Sequence, residues 1–141
     1  MLDVTSLEKA LGQLETSLEY LRSEVSGADS GLRKQFRAAT ILGFGFTYEL
    51  AAKFIRRQLE SISLSPAKLR ELSFSDLMRA AAEAGLIPDP VAFRKYRERR
   101  NLTSHAYEEE VAEETLVGID DFVRDVHILL DRLRGRHHDG D

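Results

Sequence analysis

Within the eight residues RNLTSHAY, from 100 to 107, the chain places an arginine, an asparagine, a histidine and a tyrosine. Arginine keeps its charge and grips phosphate oxygens with a planar fork. Histidine titrates near neutral pH and can take or give a proton. On a helix turning about 100° per residue, Asn101 and His105 lie one turn apart on one face. Arg100 lies about 140° round from His105 by the same arithmetic. The two converge only where the helix bends or ends near His105, or where a second subunit completes the site. Tyr107 offers a hydroxyl for modification or for bonding a ligand. These types allow phosphate chemistry with proton transfer. A plainer reading stays open beside it, because an arginine and a histidine near a helix end also serve as capping and surface groups.

The flanks carry opposite charge. RKYRERR, from 94 to 100, has five basic residues against one acid, and EEEVAEE, from 108 to 114, has five acids in seven. Arg94, Lys95 and Arg97 are candidate cations for binding a substrate backbone, and the same run also reads as a solvated helix face. The acids suit the first turn of a following helix, where the dipole favours negative charge. Glu49 stands alone in an apolar stretch, either on a wet stripe or buried with a partner. His137 and His138 have no further ligand at metal-binding spacing, so no metal site is expected. GFGF is not a phosphate-binding loop, and no cofactor is expected.

Positioning these groups requires helices. Leu7, Leu11, Leu14, Leu18, Leu21 and Val25 form one apolar seam, which predicts a helix over about 4–26. Thr5 and Glu8 make a capping-box pattern at its start, and Gly27 follows its end. A second helix is predicted over about 32–62. Its middle, AATILGFGFTYELAA, is apolar almost all round and needs cover on more than one side. Gly43 and Gly45 inside it point to close packing of another helix, or to a local bend. Ser65-Pro66 and Ser73 with Asp76 signal helix starts, the second opening a helix over about 74–84 that ends at Gly85. Asp89-Pro90 opens a fourth helix, which carries RKYRERRNLTSH. A fifth is predicted over about 109–133, with Ile119, Phe122, Val126, Leu129, Leu130 and Leu133 on one face. Together they give an all-α, up-and-down antiparallel bundle of about five helices with a core like a four-helix bundle. Residues 1–135 read as a single domain and 136–141 as a disordered tail.

Composition agrees. The chain has 141 residues, one domain's worth, with 43% hydrophobic and 31% charged residues. There is no cysteine, so no disulfide framework, thiolate metal site or cysteine nucleophile is available. The acidic, leaderless start and the absence of a long apolar run predict a cytoplasmic protein that does not enter a membrane. A net charge of −4 excludes binding of nucleic acid by bulk positive charge.

Three segments, FTYELAAKFIRRQLE (46–60), AAEAGLIPDPVAFRKYRERRN (81–101) and RNLTSHAYEE (100–109), together resemble the HEPN superfamily. They are most similar to its small helical subunits known as nucleotidyltransferase substrate-binding proteins, the HepT-like toxins. The likeness runs over about 40–135. Arg100, the polar Asn101, His105 and Tyr107 match the motif, and Glu49 matches the glutamate of FTYEL. Gly45 departs from it where relatives often carry an acid, and Ala52 and Phe93 where they often carry tryptophan. The resemblance implies an antiparallel bundle that forms a homodimer. It also implies a minimal nucleotidyltransferase as partner and metal-independent cleavage of RNA by paired Arg100 and His105, as the toxin of a toxin–antitoxin pair. Tyr107 would then be the residue adenylylated by the partner. The alternative it implies is a non-catalytic subunit that binds a nucleotide or substrate and presents it to the nucleotidyltransferase.

Overall fold

The computed structural model describes residues 2–135, and every described element is helical. Helix α1 spans Thr5–Leu21, α2 Glu24–Ala28, α3 Ser30–Ile62, α4 Pro66–Arg70, α5 Phe74–Glu83 and α6 Pro90–Leu102. A 3-10 turn over Thr103–His105 follows, then α7 over Glu109–Thr115 and α8 over Ile119–Leu133. The five longest helices, α1, α3, α5, α6 and α8, make the up-and-down antiparallel bundle. The expected tail at 136–141 and the histidines at 137 and 138 lie outside the described residues.

Helix α1 buries Leu7, Leu11, Leu14 and Leu18 against α3. A Cβ added at Gly43 would stand 3.4 Å from the backbone of Leu14. The two helices pack closely there, one of the two readings the sequence allowed, although a Cβ at that distance would make only ordinary van der Waals contact. The seam stops short of its predicted end. The chain leaves the helix at Arg22 and Ser23, and Val25 is exposed. The reason is local: the Ser23 hydroxyl donates to the Tyr20 carbonyl at 2.6 Å and caps α2 by accepting from Ser26 N, competing with the helical backbone bonds. The predicted capping box also does not form. Asp3 accepts from both the amide and the hydroxyl of Thr5, at 3.0 and 2.6 Å, and Glu8 pairs instead with Arg134.

Helix α3 starts two residues earlier than predicted because Asp29 caps it, accepting from Gly31 N at 2.9 Å and Leu32 N at 3.1 Å. It runs 33 residues through the middle of the bundle. Its inner face places Phe44, Ala51 and Ile55 in a core shared with Leu77, Met78, Phe93, Phe122, Val126 and Leu129. Its outer face is only partly covered: Leu42 and Phe46 remain 60% and 57% exposed.

Helix α6 bears the basic run. It is fixed to the core by Phe93 and Tyr96, with ring centroids 5.1 Å apart edge to face, and by Tyr96 against Phe122 in the same geometry. The Tyr96 hydroxyl donates to the buried carboxylate of Asp125 on α8 at 2.5 Å. Burial, and then this bond, pushes the Tyr96 phenol far above its ordinary range. The predicted helical run to His105 is broken after Leu102, where the Thr103 hydroxyl donates to the Arg100 carbonyl at 2.8 Å and the chain tightens into the 3-10 turn. The predicted fifth helix is also two. Gly118 adopts φ +79°, a left-handed conformation, and divides α7 from α8.

Candidate functional site

The last turn of α6, the 3-10 turn and the approach to α7 lie across the outer face of α3. Arg100 comes from the first of these. Its Nη2 lies 2.8 Å from Oε1 of Glu49 on α3, and its Nη1 donates to the Thr103 hydroxyl at 3.2 Å. Gly45 forms the floor beneath it: a Cβ at that position would stand 3.6 Å from Arg100 Nε. That Nε is buried and makes no hydrogen bond to the described residues. The side chain is 35% exposed. Glu49 and Thr103 hold its guanidinium from two sides, and the side chain stays partly open to water. Glu49, left undecided by the sequence, is the half-exposed partner of Arg100.

Beside this pair runs a groove of about 520 Å³ between α3 and the segment after α6. Ile41, Leu42 and Phe46 form the α3 wall, Ala106 and Tyr107 the opposite one, and Arg100 with Glu49 the polar end. Tyr107 is 83% exposed. The fold thus brings together Arg100, Glu49 and Tyr107. His105 is exposed on the 3-10 turn and Asn101 is exposed near the end of α6; neither lines the groove. Arg94 and Lys95 lie exposed on α6. Arg97 is placed differently. Its guanidinium stacks 4.7 Å over the ring of Phe74, and its charge is felt by the Tyr48 phenol, which burial nonetheless pushes up to about 12.

Two arginines escaped the sequence reading. Arg37, 7% exposed, reaches Glu113 at 3.2 Å and Glu109 at 3.6 Å, and Arg33 reaches Glu113 at 3.1 Å. They clamp α7 onto α3 and so fix the far end of the segment that carries His105 and Tyr107. Hydrogen bonding, first from Arg33 and also from Arg37, holds the Glu113 carboxyl below the ordinary carboxylate range. The available signal was a pair of basic residues one turn apart on α3 and an acidic run of matching length after the motif.

Residues 2–135 match the family model described as nucleotidyltransferase substrate binding protein like. The chain belongs to this family. Among relatives of this nucleotidyltransferase substrate-binding-protein-like chain is a protein of Haemophilus influenzae named probable ribonuclease HepT. It is 38% identical over 100 residues, which are 71% of this chain and 68% of that protein. A solved structure from Haemophilus influenzae, described as the fold of a substrate-binding domain of a nucleotidyltransferase, is similar with a TM-score of 0.86. The two are 31% identical, over 94% of this chain and 99% of that one. The all-α bundle and the family expected from the motif segments are therefore those of the chain. No helix among the described residues is long and apolar enough to cross a membrane.

Proposed function

We propose that this chain is the partner subunit of a minimal nucleotidyltransferase and, as a homodimer, cleaves RNA without a metal ion, acting as the toxin of a toxin–antitoxin pair. The observation that carries this reading is Arg100: a guanidinium held by Glu49 and Thr103 over Gly45 at the polar end of a groove, with His105 on the turn that follows. The family and the relative named as a probable ribonuclease support it.

In the proposed reaction the ribose 2′-oxygen attacks the adjacent phosphorus. His105 takes the 2′-hydroxyl proton as the new O–P bond forms. The bond to the 5′-oxygen breaks, and that oxygen receives a proton from the partner subunit's His105 or from water. The products are a 2′,3′-cyclic phosphate and a free 5′-hydroxyl. Arg100 stabilises the charge that gathers on the non-bridging oxygens. Asn101 orients His105 or holds a phosphate oxygen. Arg94 and Lys95 hold the flanking backbone, Arg97 adding charge from its place over Phe74. Residues 1–135 act as one domain. Dimerisation doubles the basic segment into one groove, a local concentration of positive charge on a chain whose net charge is −4. Tyr107, highly exposed beside Arg100, is the acceptor of AMP from the partner enzyme. The added phosphodiester then competes with RNA for the guanidinium.

A second reading draws on the solved neighbour, described as a substrate-binding domain: the groove holds a nucleotide or substrate and presents it without cleaving it. Incubating purified protein with RNA in chelator, beside His105→Ala, separates the two. Cleavage by wild type alone supports the nuclease. Absence of cleavage, with nucleotide affinity lowered by Arg100→Ala at the end of the groove, supports the binding subunit.

A further inference from the structure

The groove beside Arg100 has a wall that phosphate chemistry does not use. Leu42 and Phe46, one turn apart on α3, are 60% and 57% exposed, and Tyr107 is 83% exposed across from them. Three large apolar side chains around one concave surface of about 520 Å³ form a site within the ~300–1,000 Å³ typical of small-ligand pockets. At its end stand one cation and one carboxylate. Arg100 engages Oε1 of Glu49 at 2.8 Å, while the Glu49 side chain stays 56% exposed, so the carboxylate keeps capacity to accept further hydrogen bonds.

We propose that this groove seats one nucleobase of the bound strand, next to the phosphate held by Arg100, and that Glu49 makes it favour bases bearing an exocyclic amino group over uracil. The proposal rests on the nucleic-acid reading above and names its base subsite. Phe46 and Tyr107 supply aromatic faces for stacking, which tolerates any base. Selection comes from Glu49. An ionised carboxylate only accepts hydrogen bonds. Cytosine offers an amino group where uracil carries an oxygen, and two acceptors facing each other repel. A phosphate on Arg100 and a ring a few ångströms away along the groove match the two ends of one nucleotide. A second copy of this chain is the competing occupant. An apolar side chain seated there would strip water from the Arg100–Glu49 pair and return no hydrogen bond, a costly arrangement.

The experiment uses two 2′-deoxy trinucleotides, which cannot be cleaved by 2′-hydroxyl attack, differing only in a central cytosine or uracil. Their binding to the purified chain is measured by calorimetry, with light scattering on every variant. Wild type is expected to bind the cytosine probe about tenfold more tightly, the effect of one good hydrogen-bonded base contact. Glu49→Gln, whose amide can donate, should erase or invert that preference. Phe46→Ala should weaken both probes about fivefold or more, through lost stacking, whatever its mass. Arg100→Ala should weaken both equally and keep the preference. Equal binding of the two probes by wild type, or binding of neither, overturns the proposal. So does a Phe46→Ala variant that loses self-association but not nucleotide affinity, since the groove then seats a second copy. Cleavage of long RNA, assayed separately, keeps the two ideas apart. Cleavage without base preference removes only the subsite, and base preference without cleavage supports the subsite and removes only the nuclease.

Discussion

His105 and Arg100 have different tasks in the proposed reaction, and their variants should differ accordingly. If His105 moves a proton in the slow step, His105→Ala should lose on the order of a hundredfold or more in cleavage rate with little change in RNA affinity. Arg100→Ala should lower both, because a phosphate contact acts before and during the transition state. Three of the four other cations of α6, Arg94, Lys95 and Arg97, should not behave alike. Arg94→Ala and Lys95→Ala should weaken RNA binding and flatten its dependence on salt, since exposed cations act through counterion release. Arg97→Ala should in addition cost about 0.5–1 kcal/mol of stability, read from the urea midpoint, because its guanidinium lies on the Phe74 ring. After co-expression with the partner enzyme, mass spectrometry should find an AMP adduct on the peptide containing Tyr107. An unmodified peptide beside an active partner would remove that role. At this scale the sequence showed which residues could do chemistry, because type and spacing are local. It did not show that Glu49 and Gly45 meet Arg100. That contact joins residues some fifty positions apart, which helical arithmetic does not reach.

The helices themselves were legible where an apolar seam repeats over several turns, as in α1 and α8, and in α3 as a long stretch apolar almost all round. Their interruptions were not. Ser23 and Thr103 each mark a helix end through one hydroxyl bond, and Gly118 opens α8 in a left-handed backbone conformation; such residues also occur inside uninterrupted helices. The break at Thr103 matters most, since it turns His105 out of the ideal helix on which it shared a face with Asn101. Gly118→Ala should cost about 1–2 kcal/mol of stability, because an alanine there must hold φ +79°. The clamp on α7 gives a pH-dependent prediction. Glu113 has its folded pKa lowered by Arg33 and Arg37. Its stabilisation is therefore present above the ordinary value of 4.5 and is lost as pH falls through the lowered one. Arg37→Gln should be less stable than wild type by roughly 1–2 kcal/mol near pH 7, from a weakened ion pair and lost packing of its stem. The gap should narrow on acidification below the ordinary value of 4.5. Urea titrations at the two pH values check this, and a gap that widens in acid would contradict the clamp.

For the whole molecule, the question is what covers α3. The sequence predicted a helix needing cover on more than one side, and the single chain leaves Leu42 and Phe46 open. A homodimer that covers the side of this ridge toward α1 would leave the groove beside Arg100 as a cleft. Light scattering at tens of micromolar should then give twice the mass of one chain, and a well-behaved monomer would count heavily against the two-subunit site. The account is tested most directly by its chemistry. Wild-type protein, free of partner and unmodified at Tyr107, should be incubated with several classes of RNA in excess EDTA, beside His105→Ala. The account predicts wild-type cleavage undiminished by the chelator, fragments ending in 2′,3′-cyclic phosphate, and on the order of a hundredfold less product from the variant. Intact RNA in every class, or equal cleavage by His105→Ala, would contradict it.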